Sequence, residues 1–268
     1  MSIKPLSAEH GKFLQKERKY SFLVAVTQIG LLAIVLIVWE LLARTGVIDS
    51  FISSSPSRIV KTIINTFKVG DLSKHIWIST YETIVGFAAG TLLGTLIAII
   101  MWWSKFIKRV LEPYVVVLNS LPKIALGPII IIWVGTGTES IIVMALLVSV
   151  VITTITMLSG FCQTNADKLL LFRTMNANKY QVFTKLVFPS NIPTLVASLK
   201  INVGMAWVGT IMGEYLNSKA GLGYLIVYGS QVFKLDLVMA CTVILCLLAG
   251  VMYFLVALLE KTIIKWKE

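Results

Sequence analysis

Between Phe22 and Val38 the chain carries no charged side chain, and it stays almost wholly apolar from Phe22 to Ala43. A stretch of this kind has to lie in lipid or in a protein interior. In lipid, every backbone N–H and C=O must be satisfied inside the segment, which favours a helix. At 1.5 Å rise per residue the run covers about 33 Å, enough to cross a hydrocarbon core of about 30 Å. Further runs follow at Trp77–Trp103, Tyr114–Val134, Ser140–Phe161, Leu195–Leu216 and Leu237–Leu259. The expectation is an all-α integral membrane protein with six transmembrane helices.

Composition agrees. The chain is 57% hydrophobic and 14% charged, with mean hydropathy +0.85, whereas soluble domains carry about 25% charged residues. Its formal charge of +11 does not indicate nucleic acid, because Lys and Arg sit in loops and tails between apolar runs, as in bilayer proteins. With the N-terminus inside, seventeen Lys and Arg fall on the inner side or near inner span ends, Lys123 and Lys200 among them, against seven outside. Both termini are therefore placed in the cytoplasm. The chain divides into a basic tail (1–21), a membrane domain (22–262) with a cytoplasmic loop at 162–194, and a short tail (263–268). No cleavable signal peptide is expected.

Chemistry is sparse. Cys162, Cys241 and Cys246 show no CxxC spacing and are expected as packing residues, and His10 and His75 have no ligand partner in sequence, so no metal, cofactor or catalytic residue is assigned. There is no GxxxxGK[ST] phosphate loop. Glu82 and Glu214 fall near outer span ends, and Lys200 is expected to snorkel to the inner surface.

Several local signals carry structure. Ser55-Pro56-Ser57 is a helix start, followed by an amphipathic helix on the outer surface. Gly86, Gly90 and Gly94 recur every fourth residue, a smooth stripe for close helix packing. Ser104–Arg109 forms a basic loop. Asn119-Ser120-Leu121-Pro122-Lys123 and Gly127-Pro128 break the third run, which predicts a short helix, a break on the cytoplasmic side, and a second helix through the membrane. Asn119, Leu121 and Pro122, with Asn202, Trp207 and Glu214 in the fifth span, are the pathway or gate candidates. Residues 217–235 are expected as an outer loop.

The polar island Asn165–Pro193 stands apart, with Lys168, Arg173, Lys179 and Lys185 between two spans. It predicts helices over Ala166–Met175 and Lys179–Phe188, joined by a turn at Asn176-Ala177-Asn178, where Asn tolerates left-handed backbone. Pro189 and Pro193 are expected to end the second helix.

The run Arg173-Thr174-Met175-Asn176-Ala177, followed by Leu186-Val187-Phe188-Pro189, resembles the cytoplasmic loop signature of ABC importer permeases: Glu-Ala-Ala, three residues, Gly, nine residues, Ile, any residue, Leu-Pro. Here Asn176 takes the Gly position, and Leu170-Leu171-Phe172 replace Glu-Ala-Ala. Ser55-Pro56-Ser57, Asn119-Ser120-Leu121-Pro122, Trp133-Val134-Gly135, Gly213-Glu214 and Gly221-Leu222-Gly223-Tyr224-Leu225 are similar to the nitrate/sulfonate/taurine branch. The resemblance implies a type I importer permease in a bacterial cytoplasmic membrane, working as a homodimer with two ATPase subunits and an extracytoplasmic solute-binding protein. It implies that Arg173, Thr174, Met175, Asn176, Ala177, Lys179 and Pro189 form the ATPase-coupling element, Met175 and Ala177 by apolar fit and Arg173 and Lys179 by rim ion pairs. The solute is left among sulfonates, nitrate-like anions and vitamin or pyrimidine precursors. The alternative from the residues alone is an ion-coupled secondary transporter.

Overall fold

The computed structural model describes residues 8–263, with side chains from residue 16 onward; Lys4, Lys265 and Lys267 of the basic tails lie outside the described residues. The helices, in chain order, are α1 (Ala8–Arg44), α2 (Ser50–Ser53), α3 (Pro56–Val69), α4 (Asp71–Trp103), α5 (Lys105–Ser120), α6 (Gly127–Val134), α7 (Thr138–Cys162), α8 (Ala166–Thr174), α9 (Lys179–Val182), α10 (Phe188–Ser190), α11 (Ile192–Asn217), α12 (Leu222–Gln231) and α13 (Leu235–Ile263). A 3₁₀ turn, Lys123–Leu126, precedes α6, and a π turn, Phe183–Val187, joins α9 to α10. Among the described residues, five helices are long and apolar enough to cross a membrane: α1 from Lys16, α4, α7, α11 and α13.

The sixth crossing is a bent pair. α5 and the Lys123–Val134 segment meet at 94°. Neither arm alone matches a core of about 30 Å: the longer, α5, is about 24 Å at 1.5 Å per residue. The expected second helix through the membrane is therefore corrected to a short arm, α6. The basic stretch after Trp103 is likewise the first turns of α5, because the Ser104 hydroxyl accepts from Ile107 N and starts the helix at once.

The core is the packing of α4, α7 and α11. A Cβ built on Gly86 would lie 2.5 Å from Ala145 Cβ, on Gly90 2.6 Å from Ser149 Cβ, and on Gly94 2.6 Å from Thr153 Cβ. The indices rise together, so α4 and α7 run parallel. Gly209 and Gly213 of α11 meet Ala145 and Ile141 of α7 in the opposite sense. Close approach of backbones replaces the hydrophobic drive that lipid removes. Hydroxyls add bonds across the seam: Thr154 Oγ1 donates to Gly94 O at 3.2 Å, and Thr83 bonds Thr210 at 3.0 Å.

α3 is the outer-face helix that Ser55-Pro56 predicts. The Ser55 hydroxyl accepts from Arg58 N, and Gly70, at φ +94°, closes the helix. Glu40, at the end of α1, accepts from Ser57 N and Oγ, which fastens α1 to the start of α3. The Arg58 guanidinium reaches Asp236 at the start of α13 at 2.7 Å. The expected outer loop 217–235 instead contains α12. Lys200 pairs with Glu260 of α13. Of the cysteines, Cys241 is buried as a packing residue, whereas Cys162 and Cys246 are exposed.

Candidate functional site

The loop between α7 and α11 is built residue by residue from capping chemistry. Asn165 Oδ1 accepts from Asp167 N and Lys168 N, at 2.9 and 3.1 Å, and starts α8. At the other end Asn176 turns left-handed, at φ 53°. That places Asn176 N on Arg173 O and Ala177 N on Phe172 O, satisfying carbonyls that the helix end leaves open. Two residues on, Asn178 and Gln181 cap each other reciprocally at 2.9 and 2.8 Å and start α9.

From α9 the chain does not stop at Pro189, as the proline suggests. Phe183–Val187 adopts a π turn, with Phe188 N bonded to Phe183 O. Proline lacks an N–H and crowds the carbonyl four residues back; the wider turn makes room for it. The path then continues through α10 and Asn191 into α11. The same turn buries Phe183, Leu186 and Val187, with Phe183 and Val187 in one core cluster with Ala98, Met101, Met157 and Phe161.

Lys179, although exposed, is bonded within the chain. Its ammonium donates to Trp103 O at the end of α4 and lies 5.6 and 5.7 Å from the Trp102 and Trp103 rings. A cation at a helix C-terminus meets the negative end of the helix dipole, and the ring faces add cation–π attraction. Phe183 closes the group at 5.1 Å from Trp102 and 5.7 Å from Phe161. The loop is thus fastened to α4 as well as to α7 and α11, which it joins.

Among the polar side chains that the loop shows to solvent stand several apolar ones. Leu170, Leu171 and Tyr180 are exposed, and Met175 is 71% exposed, alongside exposed Arg173 and Thr174; Ala177 is half-buried. Large apolar side chains this exposed on a polar loop are uncommon enough to ask what covers them.

The pathway candidates are not brought together. Asn119, Leu121 and Pro122 are exposed at the bend, while Asn202, Trp207 and Glu214 are sealed inside the helix packing. Asn202 donates to Thr153. Trp207 packs on Val203 and Val256. Glu214 accepts from Ser79 Oγ and from Gly223 N. These three hold helices to one another and are turned away from any open surface. The bend is also not on the cytoplasmic side: Lys123 and Ile124 lie beside Met144, Leu147, Val208 and Met212, in the outer halves of α7 and α11.

Sequence reasoning missed the outer lid. Leu222 N donates to Ser79 Oγ and Gly221 N to His75 Nδ1, both at 2.8 Å, and His75 stacks on Tyr224. Gly221 and Gly223 press so closely on the Glu214 carboxylate that neither has room for a Cβ. The carboxylate thereby caps the N-terminus of α12. The Gly-Leu-Gly run was the visible signal; the Ser79 and Glu214 partners are 135 positions apart.

Residues 90–265 match the family model described as binding-protein-dependent transport system inner membrane component. Among individual relatives, the formylaminopyrimidine transport permease protein ThiX of Halalkalibacterium halodurans is 30% identical over 238 residues, covering 87% of this chain and 92% of its own. The taurine transport system permease protein TauC of Escherichia coli is 22% identical over 243 residues, covering 89% and 88%. Among solved structures, an inward-facing MetNI methionine ABC transporter superposes at TM-score 0.64 with 19% identity, over 72% of this chain and 95% of that one. A bacterial alginate ABC transporter chain superposes at 0.62 with 15% identity, over 93% and 98%.

Proposed function

This chain belongs to the family of binding-protein-dependent transport system inner membrane components, and we propose that the α8–α9 loop is where its motor grips it. The protein is a multi-pass permease subunit of an ABC importer and not an enzyme; ATP is hydrolysed on a separate subunit. A system that works with a binding protein sets aside the ion-coupled carrier considered from the residues alone.

The observation that carries the reading is the exposed apolar set Leu170, Leu171, Met175 and Tyr180 beside Arg173 on an otherwise polar loop. In the proposed assembly two permease copies carry two ATPase subunits in a bacterial cytoplasmic membrane, and a solute-binding protein docks on the outer side. Met175 and the turn at Asn176-Ala177 enter a cleft of the ATPase, with Arg173 and Thr174 at its rim. ATP binding favours one of two packings of the spans, and a rigid contact passes that bias on. Pro189 acts through the π turn that joins the loop to α11. The names of the relatives support a small solute such as a sulfonate or a pyrimidine-type vitamin precursor.

The test is co-purification with the cognate ATPase. Met175→Asp, or a bulky charge at Ala177, leaves membrane insertion intact and abolishes capture of the ATPase. Normal capture and transport by the double variant, or a tag at 170–190 that labels only from outside the cell, overturns the reading.

A further inference from the structure

Lys123 is a cation in an expensive place. It lies in the 3₁₀ turn of the broken crossing, beside Met144, Leu147, Val148, Val208 and Met212. Those positions stand six to ten residues inside the outer end of α7 and five to nine inside that of α11, or about 8–15 Å below the outer helix ends at 1.5 Å per residue. The ammonium does not reach outward to the interface. It turns back along the chain to donate to Asn119 O at 3.2 Å. Among the described residues the carboxylates in ion pairs, Glu40, Asp236 and Glu260, are paired with Arg44, Arg58 and Lys200, so Lys123 has no acidic partner. The surrounding surface is open: Leu121 and Ile124 are exposed on the bend, as is Val208 on α11.

A charged side chain at this depth is not tolerated against lipid; it marks a wet cavity or a protein contact, and irregular backbone at membrane depth obeys the same rule. Both conditions meet at residues 119–126. We infer that this bend lines the aqueous translocation route and that Lys123 is the counter-charge for an anionic solute or the anionic group of a zwitterion. The inference rests on the permease reading and adds to it the class of substrate. Neighbouring Asn119 brings an amide donor, suited to a sulfonate or carboxylate oxygen.

The test uses thiol probes that are themselves small ions. In the full permease, co-expressed with its ATPase and with Cys162, Cys241 and Cys246 replaced by Ala, Leu121→Cys is treated with anionic sulfonatoethyl and with cationic trimethylammonioethyl methanethiosulfonate. Both reagents react from water. The anionic-to-cationic rate ratio falls on the order of fivefold in Lys123→Gln, as expected for one charge removed at a distance of several ångströms. It falls further in Lys123→Glu and is kept in Lys123→Arg. A ratio unchanged by Lys123→Gln overturns the anion assignment while leaving a wet route. Failure of either reagent to react at Leu121→Cys and at a second site, Ala125→Cys, overturns the inference outright. Loss of ATPase capture by Met175→Asp is a separate readout, so the two proposals fail separately.

Discussion

Gly90 and Ser149 touch across the α4–α7 seam, with no room between them: a Cβ on the glycine would lie 2.6 Å from Ser149 Cβ and 2.9 Å from Leu146 O. One of those neighbours is backbone, so the seam cannot yield by a rotamer change. Gly90→Leu forces the helices apart and costs about 3 kcal/mol or more, the upper part of the overpacking range. Gly204 and Gly250 have nothing within 4 Å of an added Cβ, and Gly204→Ala and Gly250→Ala leave stability unchanged or slightly raised. Thermal unfolding of the detergent-solubilised permease separates the two groups. Equal midpoints for Gly90→Leu and Gly204→Ala mean that the stripe is not a packing seam.

Lys179 fastens the α8–α9 loop to α4 through Trp102 and Trp103. Lys179→Met removes the cation and keeps the aliphatic stem, a loss of about 1 kcal/mol for a solvent-exposed cation–π contact. Amide exchange across residues 179–187 then rises about fivefold, since 1.4 kcal/mol corresponds to a factor of ten. Lys179→Arg restores protection, because a guanidinium both stacks on the rings and donates to the carbonyl. Because the ammonium is already engaged by Trp103 O and the two rings, ATPase capture persists in Lys179→Met while transport per ATP falls. Unchanged exchange means that the contact does not order the loop.

The parts of this fold legible in the sequence are those with local causes. Ser55-Pro56 starts α3, and Asn176 takes the left-handed position that ends α8. The four-residue glycine period has one physical use in a membrane, and the structure puts it to that use. What stayed hidden depends on partners far along the chain. Nothing near Lys179 announces Trp103, 76 positions away, and nothing near Glu214 announces Ser79. Lys105–Arg109 suggested a loop by its charges, although Ser104 supplies a cap, and Pro189 suggested a stop because a π turn is not encoded in the apolar period. Asn202 and Trp207 stand out in the sequence as polar or amphipathic groups in a span, yet a buried seam between helices uses such side chains too: Asn202 donates to Thr153, and Trp207 packs on Val203 and Val256.

The outer lid gives a graded series. Glu214 accepts from the Ser79 hydroxyl and Gly223 N, and Ser79 Oγ in turn accepts from Leu222 N. Glu214→Ala leaves these donors unsatisfied in a buried site and costs about 1–3 kcal/mol, the range for a buried polar group without a partner. Glu214→Gln is milder: its carbonyl oxygen serves Gly223 N, and its amide donates to Ser79 Oγ. Gly221→Ala is severe, since its φ of +116° disfavours any side chain and a Cβ would strike the carboxylate. The expected order of melting temperatures is wild type, Glu214→Gln, Glu214→Ala. A Glu214→Gln protein less stable than Glu214→Ala refutes the capping role.

The pair Lys200–Glu260 ties α11 to α13 toward the end of the bundle that carries the α8–α9 loop. Removing one member leaves the other charge without its partner near hydrocarbon, whereas removing both leaves an apolar contact between two helices. Replacing a whole ion pair by apolar groups is often neutral or stabilising, while breaking it is not. Lys200→Met and Glu260→Met each lower the melting temperature of the permease in lipid nanodiscs, and the double variant recovers most of the loss. Partial exposure of both side chains moderates the single-variant effects without changing their order. If the two losses simply add in the double variant, the charges do not interact, and α11 and α13 are held by apolar contacts such as those around Trp207, Val203 and Val256.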